Sequence, residues 1–308
     1  MATWKIGSAT ITRIEEQVCL AMQSPAKHFP GFERDVLERH MSWLVPDHYS
    51  PQHDCMVSSF HSWLIRTDQY NILLDTCCGN HKERPWAPRF NQLDTPFMDR
   101  LRGTGVAPED IDIVLCTHLH ADHVGWNTVQ RDGRWVPTFP NAYYLFSRTE
   151  ADYWNLRSNL TMQGDPRRVV YEDSVLPVIE SGQAVIIDGN HALEDGILIE
   201  PAPGHTPGLI IMKLDNPEAR SVAGAHGDRA VFCGDVIHHA LQVYAPHWSH
   251  IVDQNPELAK ATRRKLLEYC VESGALLFPA HFGAPYVARI GESAGGFTAN
   301  FVPGLIAL

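Results

Sequence analysis

Positive charge is scarce in this chain. Lys and Arg total 25 against 36 Asp and Glu, a formal net charge of −11, and no basic run exceeds the three residues Arg263-Arg264-Lys265. That balance argues against a general binder of nucleic acid, because phosphate backbones select for Lys and Arg. No stretch approaches the roughly 18 consecutive apolar residues that suggest a membrane helix, so no membrane partner is expected. Residues 1–20 lack a charged segment followed by an apolar core, and no secretory leader is read there. Cys-x-x-Cys is absent. The seven cysteines (Cys19, Cys55, Cys77, Cys78, Cys116, Cys233 and Cys270) are odd in number and lie mostly in apolar runs. They suit reduced, buried thiols better than a disulfide framework. Internal repeats and low-complexity tracts are also missing. A cytoplasmic enzyme is the expectation.

What is present suits a sizeable core: 44% of the 308 residues are hydrophobic and 20% charged, ordinary values for a globular protein. One large α/β domain over 1–308 is expected, with an irregular arm at about 20–54. The arm holds Pro25, Pro30, Pro46 and Pro51 among Phe29, Phe32, Trp43 and Tyr49. It is too apolar for disorder, and would suit a cover over a pocket or the contact of a homodimer.

The densest chemistry lies at Thr117-His118-Leu119-His120-Ala121-Asp122-His123, directly after the apolar run Ile113-Val114-Leu115-Cys116. That run has the length of a buried strand. With 17 histidines in the chain, a bare His-x-His carries little weight. Four metal-ligand types within six residues of a strand end carry much more. His118 and His120 share a side of an extended segment, and Asp122-His123 needs a turn to come beside them.

Elsewhere the pattern predicts strands within 2–19, at 56–66 and 70–75, at 142–146, at 183–187 and 197–200, and at 209–214 and 230–233. The last strand is expected at 275–278. Residues 148–180 read as helical, with breaks at 164–166 and at Pro177. The clearest helix runs from Pro256 to Ser273, with Gly274 as its stop. A hairpin is expected around Asp132-Gly133.

Three further places repeat the arrangement of an apolar strand followed by His or Asp and then Gly or Pro. They are His205, Asp235 and His281. With the first cluster they supply five His and two Asp, donors that suit zinc, iron, manganese or cobalt. Seven ligands are too many for one tetrahedral ion and suit two, about 3.5 to 4 Å apart.

His118-x-His120-x-Asp122-His123, followed in order by His205, Asp235 and His281, resembles the metallo-β-lactamase fold superfamily. Within it, the closer likeness is to the dinuclear lactonase and organophosphate-hydrolase branch. The likeness runs from Asp75 to His281. It implies an αββα sandwich of two mixed β-sheets flanked by helices. It also implies two divalent ions, zinc first and iron, manganese or cobalt as alternatives. His118, His120 and His205 would hold one ion and Asp122, His123 and His281 the other, with Asp235 as bridge and Asp75 as support.

Asp122, Asp235 and His238 are the candidate catalytic residues. His238 stands where quorum-quenching acyl-homoserine lactonases have a Tyr, which puts that substrate in question. The expected reaction is opening of a lactone, or cleavage of a small carboxylic ester, by a metal-bridging hydroxide. Organophosphate triester, β-lactam or thioester hydrolysis, a diiron redox enzyme and a non-catalytic metal-binding module remain open. Trp86, Trp126, Tyr244, Trp248 and Phe282 are candidate pocket residues.

Overall fold

The computed structural model describes residues 1–155, 165–216 and 228–306. Two compact units are found. Met1–Gln17 and Phe60–Gly189 form the first, and Val18–Ser59 and Asn190–Ile306 the second.

The strands of the first half of the chain are β1 (Ala2–Ile6), β2 (Ala9–Leu20), β3 (Tyr49–Ser50), β4 (Cys55–Arg66), β5 (Asn71–Leu74), β6 (Ile113–Leu115), β7 (Thr128–Arg131), β8 (Arg134–Pro137), β9 (Tyr143–Ser147) and β10 (Ala184–Ile187). In the first unit the sheet order is β10-β9-β6-β5-β4-β2-β1. β10, β9, β6 and β5 run parallel, whereas β4 and β5, and β1 and β2, pair antiparallel. The sheet is therefore mixed. The parallel run explains its apolar composition: Leu73, Val114 and Phe146 are fully buried with Phe97, Trp154 and Val178 from the surrounding helices. The hairpin β7–β8 turns at Asp132-Gly133, both at positive φ (49° and 75°), as the sequence predicts.

Among the described residues, the expected helical stretch 148–180 holds helices Arg148–Trp154, Arg168–Ser174 and Leu176–Glu180. Pro177 lies in the first turn of the last one, where its missing N–H costs nothing. The break expected at Gly164 lies outside the described residues.

The second unit carries β11 (His191–Glu194), β12 (Ile197–Pro201), β13 (Ile210–Asp215), β14 (Arg229–Phe232), β15 (Leu276–Phe278), β16 (Ala288–Ser293) and β17 (Gly296–Phe301), in that spatial order. All neighbours are antiparallel except β14 and β15, which are parallel. The hairpin β16–β17 follows the strand expected to be last. Its Gly291, Gly295 and Gly296 and exposed Glu292 dilute the alternation that marks a strand.

Helix Pro256–Ser273 has the predicted bounds. The Asn255 side chain accepts the Leu258 N–H at 3.1 Å, and Gly274 (φ 70°) ends the helix. The arm at 20–54 is not irregular throughout. Helices Pro25–His28, Arg34–Arg39 and Met41–Leu44 are too short for a periodic signature. Phe29, Leu37, Leu44 and Tyr49 pack with Leu241 and Trp248 in a core of the second unit.

Candidate metal centre

Each unit places its ligand types beyond the ends of parallel strands. In the first, Asp75 follows β5 and His118 follows β6, and parallel pairing brings the two strand ends to one edge. The Asp75 N–H also donates to Leu115 O at 2.9 Å, holding the two loops together. In the second, Asp235 follows β14 and His281 follows β15, again a parallel pair. β12 leads toward His205 in the same direction, because two antiparallel steps separate it from β14.

In the first unit the turn expected for Asp122-His123 is a one-turn helix, Ala121–Val124, started by His120. Asp75 organises it. Its carboxylate accepts the Thr117 N–H (2.7 Å), the Thr117 hydroxyl (2.9 Å) and His123 Nδ1–H (2.9 Å). Because the Thr117 hydroxyl spends its proton on Asp75, it accepts from His118 Nδ1–H, at 3.1 Å. His118 and His123 thus both carry a proton on Nδ1, which makes Nε2 the coordinating atom of each ring. His118 Nε2 lies 3.0 Å from His120 Nδ1, and Asp122 Oδ2 lies 3.9 Å from His123 Nε2.

Glu16 and Glu150 support this loop, and no local motif marks either one. Buried Glu16 accepts from Cys78 N (2.7 Å), Gly79 N (3.1 Å) and Trp126 Nε1 (2.7 Å). Burial raises its pKa against these hydrogen bonds. Glu150 accepts the Leu119 N–H at 3.0 Å, between His118 and His120.

In the second unit His205 Nδ1–H donates to Asp253 Oδ1 (2.9 Å) and His281 Nδ1–H donates to Ser59 O (3.1 Å). A carbonyl or carboxylate only accepts, so Nδ1 of each ring carries a proton and Nε2 is the atom left to coordinate. Both Nε2 atoms face Asp235: His205 at 3.3 Å from Oδ2, His281 at 3.0 Å from Oδ1. At these distances a proton or a metal ion lies between each Nε2 and the carboxylate. Borderline nitrogen donors, hard oxygens and acceptors behind each ring make a metal-binding set, so the residues present suit divalent ions.

His238 also reaches Asp235, with Nε2 3.2 Å from Oδ2. It stacks on His250 at 4.0 Å and meets the His205 ring edge-on at 4.6 Å. Burial lowers the His238 pKa below that of a free imidazole.

Three of the candidate pocket aromatics are core residues. Trp126 stacks on Phe97 at 5.5 Å and gives its N–H to Glu16. Trp248 and Phe282 have no exposure. Proximity to ligands in sequence does not distinguish the floor of a site from the core beneath it.

A family profile described as the metallo-beta-lactamase superfamily matches residues 57–281, well over half of the chain. The chain belongs to the metallo-beta-lactamase superfamily. Its fold is likewise that of superfamily members already solved, the α/β class with two mixed sheets and helices expected from the sequence. The crystal structure of hydrolase AbOPH, of the beta lactamase superfamily, superposes with a TM-score of 0.78 at 22% identity, over 99% of this chain and 98% of that one. AidC, a dizinc quorum-quenching lactonase solved with a product, gives 0.76 at 20% identity over the same shares. The N-acyl homoserine lactonase AiiA of Bacillus thuringiensis subsp. kurstaki is 23% identical over 172 residues, which is 52% of this chain and 60% of that lactonase. The chain thus spans about 60% of the length of such curated relatives.

Proposed function

We propose that this protein is a metal-dependent hydrolase with a dinuclear centre, opening a lactone or cleaving a small carboxylic ester. His118, His120 and His205 would hold one ion and Asp122, His123 and His281 the other, with Asp235 available to both. Zinc is the first choice, because imidazole and carboxylate suit it and the similar AidC is a dizinc enzyme.

The observation that carries the reading is Asp235. Oδ1 faces His281 Nε2 and Oδ2 faces His205 Nε2, with His238 Nε2 also beside Oδ2, and His205 and His281 already have their Nδ1 protons committed elsewhere. That is the disposition a bridging carboxylate needs.

Bound divalent ions would supply Lewis acidity and a hydroxide nucleophile at neutral pH. The chain's own contribution is positioning. Asp75, Asp253 and Ser59 O fix the rings, so ligand geometry is set before substrate arrives. Asp235 is the carboxylate placed to carry a proton toward the leaving oxygen. His238, its pKa lowered by burial, sets its Nε2 3.2 Å from Asp235 Oδ2 and is placed to steady that carboxylate. Among the described residues no helix is long and apolar enough to cross a membrane. The net charge of −11 favours a neutral or cationic small substrate over a nucleic acid. Action in the cytoplasm, as a homodimer joined through the arm, belongs to the same proposal.

The test is a panel of lactones, aryl esters, β-lactams, thioesters and phosphotriesters on zinc-loaded protein, compared by kcat/KM. Lactones or aryl esters are expected to lead. His120→Ala and Asp235→Ala should each lower kcat/KM at least about 100-fold and reduce bound metal. Full metal content with unchanged turnover in Asp235→Ala ends the assignment.

A further inference from the structure

Arg263 takes no part in the ligand set, yet its side chain is entirely buried in the second unit. It lies on the inner face of helix Pro256–Ser273. Its guanidinium reaches three carbonyls on two loops: Nε–H donates to Val236 O (2.8 Å), and Nη1 to Pro246 O (3.0 Å) and Trp248 O (2.5 Å). The remaining nitrogen, Nη2, lies 3.6 Å from Asp253 Oδ2.

Each oxygen of Asp253 holds a hydrogen bond. Oδ1 accepts His205 Nδ1–H at 2.9 Å, and Oδ2 accepts the His250 N–H at 2.8 Å. Arg263 therefore touches the centre by two routes. One runs through Asp253 to the His205 ring. The other runs through Val236 O to the turn that carries Asp235.

We propose that Arg263, acting through Asp253, is a positioning residue that sets His205 and the Asp235 turn in register with each other. This rests on the dinuclear reading above. A buried carboxylate behind a ligand His needs a fixed place to hold the ring, and a fixed charge beside it to remain an acceptor. Arg supplies both with one planar fork. Lysine, a single point donor on a flexible stem, cannot span Val236 O, Pro246 O, Trp248 O and Asp253 at once. A purely structural buried ion pair would stabilise the helix against its loops and leave the ligands indifferent to it.

The experiment measures cobalt(II) affinity by chelator competition, with the cobalt d–d spectrum and thermal melting alongside, on the full chain. The proteins are the parent, Arg263→Met, Arg263→Lys, Asp253→Asn and the double Asp253→Asn/Arg263→Met. Each single change is expected to weaken cobalt binding about 10- to 100-fold and alter the spectrum. The double change is expected to weaken it by clearly less than the product of the two single losses, because the route to His205 is shared and only the route through Val236 O is independent. Should Arg263→Met fail to fold, Arg263→Lys and the isosteric Asp253→Asn carry the test from either end. Folded Arg263 variants that bind cobalt as the parent does, with only a lower melting temperature, overturn the inference and leave the dinuclear reading standing. So do losses that simply add in the double variant. A parent that takes up no metal overturns the dinuclear reading itself, and this inference with it.

Discussion

At the scale of the residue, a buried carboxylate decides what a neighbouring imidazole can do. Asp75 has a positive φ of 55°, which Asn adopts readily and β-branched residues do not. Asp75→Asn therefore removes the charge without adding backbone strain. The Asn amide can donate as well as accept, so the Thr117 hydroxyl and His123 Nδ1–H lose their assured acceptor. His123 is then free to present the wrong nitrogen inward. Metal affinity should fall about 10- to 100-fold with little change in fold. Titration of zinc against a competing chelator checks this, and parent-like affinity would show Asp75 to be a turn residue only. The same logic explains why Asp253 escapes a reading of the sequence. It lies 48 residues from His205, with no motif around it to mark the pairing.

At the scale of the element, the ligand loop of the first unit depends on a close backbone crossing. Thr76 N–H donates to His123 O (2.7 Å), Gly125 N–H to Cys77 O (2.7 Å) and Trp126 N–H to Thr76 O (2.8 Å). At Gly125 a Cβ would sit 1.8 Å from Cys78 O, which is backbone and cannot yield. Gly125 has an ordinary helical φ of −59°, so space alone requires glycine there. Gly133 is the reverse case: its φ is 75°, but nothing lies within 4 Å of an added Cβ. Gly125→Ala should therefore cost about 3 kcal/mol or more, and Gly133→Ala only about 1 kcal/mol. Equilibrium unfolding of both variants measures the contrast, and equal costs would refute the crowding argument.

Elements with a strong local signal were legible in the sequence. Helix Pro256–Ser273 has caps at both ends, and each ligand follows a strand that ends in Gly, Pro or a turn. The three arm helices of four to six residues were not legible, since one turn gives no period. Hairpin β16–β17 was hidden by its glycines. Glu16, Glu150 and Arg263 were invisible for another reason: a buried charge is recognised by what surrounds it, and the sequence alone shows them only as surface-type residues.

At the scale of the whole molecule, histidines outside the ligand set tie stability to pH. His48 Nε2 lies 3.0 Å from Ala284 O and His239 Nε2 lies 2.9 Å from His48 O, both rings deep in the second unit. Burial lowers the His48 pKa to about 4 and the His239 pKa to about 3. In the unfolded chain both return to about 6.5. Between these limits the unfolded state binds more protons than the folded one, so stability rises with pH across the window. Read downward, stability is full above about pH 6.5. It then falls toward pH 4 by as much as about 1.4 kcal/mol per pH unit for each histidine. His48→Gln keeps an amide to face Ala284 O but carries no proton to gain, so its slope between pH 4 and 6.5 should be shallower by about one histidine's share. Urea unfolding at half-unit pH steps, on parent and variant, reads this directly. Parallel pH profiles for the two proteins would mean that His48 already carries its proton when folded, and that the aromatic packing of Trp43 and Phe301 around it tolerates the charge.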